Sequence, residues 1–251
     1  HQVEGLDPQI GLHRAGSSTG AQGSHAGRFA RASCDAVSQS TAPPRMRVPH
    51  LPGSSMSKQY DRAYFDRWYR AGDIGGPARL ARKVALAVAT AEYHLERPLR
   101  TVLDIGAGEG AWRAPLLKLR PKAQYLGFDA SEYAVSRFGR ARNLHHARFA
   151  DFEMLRPCPP VDLLICSDVL HYLDTRELDR GLPGLADLTG GVAFLECFAR
   201  EDGAEGDDDG FKQRPARFYR ARFAAAGFRA LGSHCWLSPQ LADAATALET
   251  A

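Results

Sequence analysis

The chain has no strong excess of either charge. Its 32 lysines and arginines face 29 aspartates and glutamates, a formal net charge of +3. That is too small to build the single-sign field that a nucleic-acid or anionic-membrane partner calls for. No apolar run approaches the ~20 residues needed to cross a bilayer. The five cysteines, Cys34, Cys158, Cys166, Cys197 and Cys235, are scattered and make no C-x-x-C pair, so they spell neither a disulfide framework nor a zinc finger. Cys166 and Cys197 lie in apolar, strand-like runs, where a thiol behaves as a buried side chain. A reducing cytoplasm is the expected compartment. The nine histidines are dispersed, and no metal site is expected.

What is present is a cluster of glycines in an informative place. Thr101 to Ile105 is a short apolar run with β-branched residues and one acid, Asp104, the pattern of a buried strand. Gly106, Gly108 and Gly110 follow at once. Ala111 to Leu119 then reads as a helix, with Pro115 in its first turns, where proline is tolerated. Strand, glycine turn and helix together present backbone N–H groups to a ligand and let it approach closely. The spacing is G-x-G-x-G, not the G-x-G-x-x-G of dinucleotide folds. A carboxylate two residues before the first glycine also repels a pyrophosphate, while it suits a ligand carrying an ammonium or sulfonium group.

Strand and helix patterns alternate through the rest of the chain. Gln124 to Phe128, His146 to Ala150, Val161 to Cys166 and Gly191 to Cys197 read as strands. Ala78 to Leu95, Glu132 to Arg142, Leu178 to Leu188 and Arg214 to Ala226 read as helices, the third interrupted at Pro183-Gly184. This alternation predicts an α/β fold: a doubly wound, mostly parallel sheet in three α-β-α layers. Asp129 ends the second strand about 20 residues after the glycines, where an acid can hold ribose hydroxyls. It or Ser131 also suits a helix cap. Phe228 to Leu237 reads as one strand with a break at Gly232-Ser233, which leaves a seventh strand open. Gln240 to Thr250 reads as a terminal helix.

The segment D-I-G-A-G-E-G, Asp104 to Gly110, resembles motif I of the class I methyltransferases that use S-adenosylmethionine. Asp151-Phe152 is similar to the pair that these enzymes place against the adenine. Ser167-Asp168-Val169-Leu170-His171-Tyr172 is similar to the end of their fourth strand in members acting on small molecules. The D/N-P-P-Y motif of nucleic-acid base methylation is absent. The resemblance covers roughly residues 100 to 200. It implies a Rossmann-like methyltransferase that binds S-adenosylmethionine through Asp104, Gly106, Ala107, Gly108, Gly110, Asp129, Ala130, Asp151, Phe152, Ser167 and Asp168. The implied reaction moves the sulfonium methyl group to an O, N, S or C nucleophile of a small molecule by in-line displacement. His171 is the candidate base, since imidazole titrates near neutral pH; it could instead only orient its loop. Glu196, Tyr64 and His234 are weaker choices.

Residues 1–55 are rich in Ser, Gly, Ala and Pro and poor in large apolar residues, so they are expected to be a disordered leader or an over-long start. Met56 opens the expected methyltransferase domain, 56–251, with a helical lid over 56–98 and an α/β core over 99–251. Tyr60, Tyr64 and Trp68 share one helix face and, with Tyr172 and Glu196, are the substrate and lid candidates. The acidic loop Arg200 to Gly210 reads as solvated, as does the stripe Arg214, Arg217 and Arg220. A monomer or homodimer is expected. The alternatives are an NAD-dependent oxidoreductase, an aminopropyltransferase on the same fold, and a non-catalytic S-adenosylmethionine-binding partner protein.

Overall fold

The computed structural model describes residues 76–203 and 210–244. Seven strands form one sheet: β1 Thr101–Ile105, β2 Gln124–Asp129, β3 Leu144–His146, β4 Val161–Ser167, β5 Thr189–Glu196, β6 Arg229–Gly232 and β7 Cys235–Leu237. Their order across the sheet is β3-β2-β1-β4-β5-β7-β6. Strands β1 to β5 run parallel, and β7 lies antiparallel to β5 and to β6. The chain order reverses between β1 and β4, so their C-terminal ends flank the crevice where such sheets take ligands.

Among the described residues, five helices cover the sheet: α1 Gly76–Leu95, α2 Arg113–Leu119, α3 Glu132–Arg142, α4 Thr175–Leu188 and α5 Ala216–Ala225. Successive strand side chains alternate between the two faces. Val102, Leu163, Ile165, Val192 and Phe194 therefore pack with Val84, Ala87, Val88 and Ala91 of α1 and Leu116 of α2. Leu103, Ile105, Leu164, Cys166, Ala193 and Leu195 pack on the opposite face with Leu178, Leu182 and Leu185 of α4 and Tyr219 and Phe223 of α5. The central strands are apolar on both faces because both are covered.

The structure corrects four sequence expectations. The third strand is Leu144–His146, and Phe149–Glu153 is a 3₁₀ turn; the Asp151 carboxylate accepts the Arg148 N–H at 2.8 Å and closes that turn. Helix α4 runs unbroken through Pro183. It starts on a capping box, with Asp174 and Glu177 each accepting the other's backbone N–H. It also lies so close to the 3₁₀ turn that a Cβ on Gly184 would stand 1.7 Å from the Phe152 carbonyl oxygen. This packing offsets the proline's missing N–H. The presumed single last strand is a hairpin, β6 and β7, turned at Ser233 and His234, both at positive φ, so the seventh strand is present. Residues 239–244 form a 3₁₀ segment, and residues 245–250 of the expected terminal helix lie outside the described residues. So do the leader 1–55, Tyr60, Tyr64, Trp68, and residues 204–209 of the acidic loop.

Candidate active site

The site is built at the C-terminal ends of β1, β2, β4 and β5. Asp104 sits near the end of β1, 1 % exposed, and Tyr125 of β2 donates its hydroxyl to Oδ2 at 2.5 Å. Burial pushes the Asp104 carboxyl up to about 7, with the Asp129 charge adding and the Tyr125 hydrogen bond opposing. Tyr125 is absent from the sequence expectations; its signal is a phenol on an otherwise buried strand face, where the hydroxyl needs a partner.

The turn that follows needs its glycines. Gly106, Gly108 and Gly110 have φ of +72°, +54° and +74°, which side chains with a Cβ rarely adopt. A Cβ on Gly106 would also stand 2.3 Å from Val169 Cγ2. The Gly106 and Ala107 N–H groups both donate to the Phe128 carbonyl, at 2.8 and 2.9 Å, which ties the turn to β2. Asp129 completes the tie: Oδ2 accepts from Gly108 N–H at 2.7 Å and Oδ1 from Ser131 N–H at 2.8 Å. Burial raises the Asp129 carboxyl, against the pull of those two donors. Ser131 caps α3 by accepting the Ala134 N–H at 3.1 Å. Ala130 is exposed beside it.

Two carboxyls raised by burial therefore flank the glycine turn. Near the turn, Glu109 Oε1 and Arg113 Nε are buried without a hydrogen-bond partner. A cationic, polar-ended ligand fits this set, because a nearby positive charge favours the ionised carboxylates. Asp151 is exposed on its turn. Phe152, expected against the cofactor ring, is instead 0 % exposed in the core, with its ring 5.5 Å from that of Phe128 in a T-shaped contact.

At the end of β4, Asp168 takes a positive φ of 64°, which keeps its side chain 58 % exposed. His171 is 1 % exposed, packed among the rings of Tyr172, Phe211 and Phe198 at 4.3, 5.0 and 5.6 Å. Phe198 N–H donates to His171 Nδ1 at 3.3 Å. The neutral ring then carries its proton on Nε2, which lies 3.4 Å from Asp168 Oδ1. The ring expected as the base thus meets a backbone donor at one nitrogen and a carboxylate at the other. Tyr172 is half-buried beside it.

Glu196, expected to face substrate, is 1 % exposed at the end of β5. Lys83 of α1 reaches its Oε1 at 2.5 Å and Oε2 at 2.7 Å, and Ser167 Oγ donates to Oε2 at 2.5 Å. Burial raises this carboxyl, but the Lys83 and Ser167 hydrogen bonds and the Lys83 charge outweigh it and leave it below the usual range. Glu196 is thus a poor proton acceptor. Lys83 has a sequence signal that the expectations passed over: it is a lone charge on the apolar stripe of Leu80, Val84 and Ala87. Of the predicted arginine stripe, Arg217 and Arg220 lie exposed on α5, while Arg214 precedes the helix and donates to Thr175 Oγ1 at 3.2 Å. Among the described residues, no group of His, Cys, Asp and Glu is arranged to hold a metal ion.

Residues 103–190 match a family model described as a methyltransferase domain. The fold resembles DesVI of Streptomyces venezuelae at 17 % identity and TM-score 0.52, covering 68 % of this chain and 92 % of that one. It also resembles an S-adenosylmethionine-bound amino pentose methyltransferase from Micromonospora echinaspora at 16 % identity and TM-score 0.52, covering 72 % of this chain and 98 % of that one. A methyltransferase from Archaeoglobus fulgidus aligns at 17 % identity and TM-score 0.52, covering 68 % and 75 %. No curated protein sequence matches the chain significantly. The fold is the one these solved methyltransferases share. The matched stretch runs from Leu103 of β1 to Gly190 of β5, the part of the sheet that holds the glycine turn.

Proposed function

We propose that the chain transfers the methyl group of S-adenosylmethionine to an O, N, S or C nucleophile of a small molecule. The observation that carries this reading is the pair of carboxyls on either side of the glycine turn, Asp104 buried beneath it and half-buried Asp129 tied to the Gly108 N–H. When bound, S-adenosylmethionine supplies an activated methyl group on a sulfonium, so the protein's main tasks are alignment and exclusion of water. Asp129, held by Gly108 and Ser131, keeps lone pairs for ribose hydroxyls. Asp104 sets a negative field at the cationic end. Asp168 and Tyr172 face the acceptor. His171 keeps Asp168 aimed, and the exposed Asp168 carboxylate takes up the acceptor's proton where one is lost. The chain works in the cytoplasm as a monomer or homodimer. Among the described residues, no helix is long and apolar enough to cross a membrane.

Calorimetry of the full chain with S-adenosylmethionine, S-adenosylhomocysteine and NAD tests the reading. Binding of the first two without NAD supports it and opens an acceptor screen. Binding of NAD alone would overturn it.

A further inference from the structure

The C-terminal end of β5 carries Glu196, paired with Lys83 of α1, and the transfer reaction does not use that charged pair. Asp104 pairs with Ile165 in the register of β1 and β4, and Ser167 pairs with Glu196 in that of β4 and β5. Ser167 therefore stands two residues beyond Asp104's partner, level with the start of the glycine turn. By strand alternation Asp104, Ser167 and Glu196 share the face covered by α1, and from α1 Lys83 reaches Glu196. An ionised carboxylate only accepts hydrogen bonds. Ser167 must then spend its one proton on Glu196, and its half-buried oxygen offers lone pairs alone.

We propose that Lys83 and Glu196 are positioning residues that fix Ser167 Oγ as an acceptor for the ammonium group of the cofactor's amino-acid end. The inference rests on S-adenosylmethionine being the cofactor. The polarity of the Ser167 hydroxyl decides the ligand's chemistry: a donor is held, a second acceptor is repelled. Lys83 keeps Glu196 charged, and so keeps that polarity from reversing. Helix α1 thereby contributes to cofactor affinity without touching the cofactor. In Glu196→Gln the side-chain amide can donate to Ser167 instead, and the hydroxyl turns its own proton outward.

The test is calorimetry on the full chain with two probes. S-adenosylhomocysteine carries the ammonium; methylthioadenosine lacks the whole amino-acid end. Binding of both to the wild-type chain establishes the cofactor site independently of the inference. Glu196→Gln and Ser167→Ala should each weaken S-adenosylhomocysteine roughly tenfold, the loss of one charge-assisted hydrogen bond, and leave methylthioadenosine unchanged. Loss of the negative charge would by itself strengthen binding of the carboxylate in that end, so selective weakening points to the ammonium. Lys83→Arg should keep wild-type selectivity and Lys83→Met should not. Equal weakening of both probes, or of neither, in the soluble Ser167→Ala variant would overturn the proposal.

Discussion

Tyr125 and Asp104 meet across two adjacent parallel strands, the phenol donating to the carboxyl at 2.5 Å with Asp104 sealed from solvent. The pairing holds a carboxyl beneath the glycine turn, where the cationic end of the proposed cofactor would lie, while burial lifts its ionisation to about 7. A carboxyl whose folded value is raised binds more protons folded than unfolded, so stability falls as pH rises from about 4 to about 7. We expect the ligand-free protein to lose stability over that window, by an amount on the order of a few kcal/mol. Asp104→Asn should flatten most of the slope, leaving the part that Asp129 contributes. Denaturant melts at a series of pH values measure both. S-adenosylmethionine, as a cation, should bind more tightly as pH rises through the same window; a flat affinity in calorimetry would contradict the assignment.

Asp129 ties β2 to the glycine turn through the Gly108 N–H. Asp129→Ala removes that acceptor and the proposed ribose partner together. Cofactor affinity should fall by ~1–3 kcal/mol. Asp129→Asn, which keeps one acceptor oxygen, should lose less. Calorimetry with S-adenosylhomocysteine ranks the two, and equal affinity of Asp129→Ala and wild type would remove the role.

His171 accepts the Phe198 N–H through Nδ1. An asparagine can place its oxygen near that atom, so His171→Asn should retain most of the turnover of an acceptor found by screening. His171→Ala should lower it by about 10-fold or more, with the cofactor affinity unchanged, on the scale of a misaligned group. Equal losses in the two variants would point to the ring itself as the base.

At the opposite end of the sheet, Arg97 holds Asp162 through two hydrogen bonds of 2.9 and 2.7 Å, and Arg100 N–H adds a third at 2.7 Å. Burial raises the Asp162 carboxyl, but these donors outweigh it and hold it below the ordinary range. Its stabilisation is therefore present at neutral pH and lost as pH falls through that depressed value. Asp162→Ala should cost about 1–3 kcal/mol by leaving backbone donors unpaired, read as a lower melting temperature with cofactor affinity per folded molecule unchanged.

Much of this molecule was legible before folding. The alternation of apolar runs with helical stretches determined a parallel α/β sheet, because only strands covered on both faces read as continuous apolar segments. The spacing of Asp104 and the three glycines determined the tight turn after β1, because positive φ and close approach are local demands that only glycine meets cheaply. What tertiary structure decided lies where residues far apart in the chain meet. Pro183 stays inside a helix because Gly181 and Gly184 let α4 close on the 149–153 turn. Phe152 turns into the core, and Lys83 and Ser167 take possession of Glu196. The ring of His171 receives a backbone donor 27 positions along the chain. Local pattern names the kind of side chain at a strand end; the hydrogen-bond partner that sets its charge and proton arrives from another strand or helix, and no spacing in the sequence records that meeting.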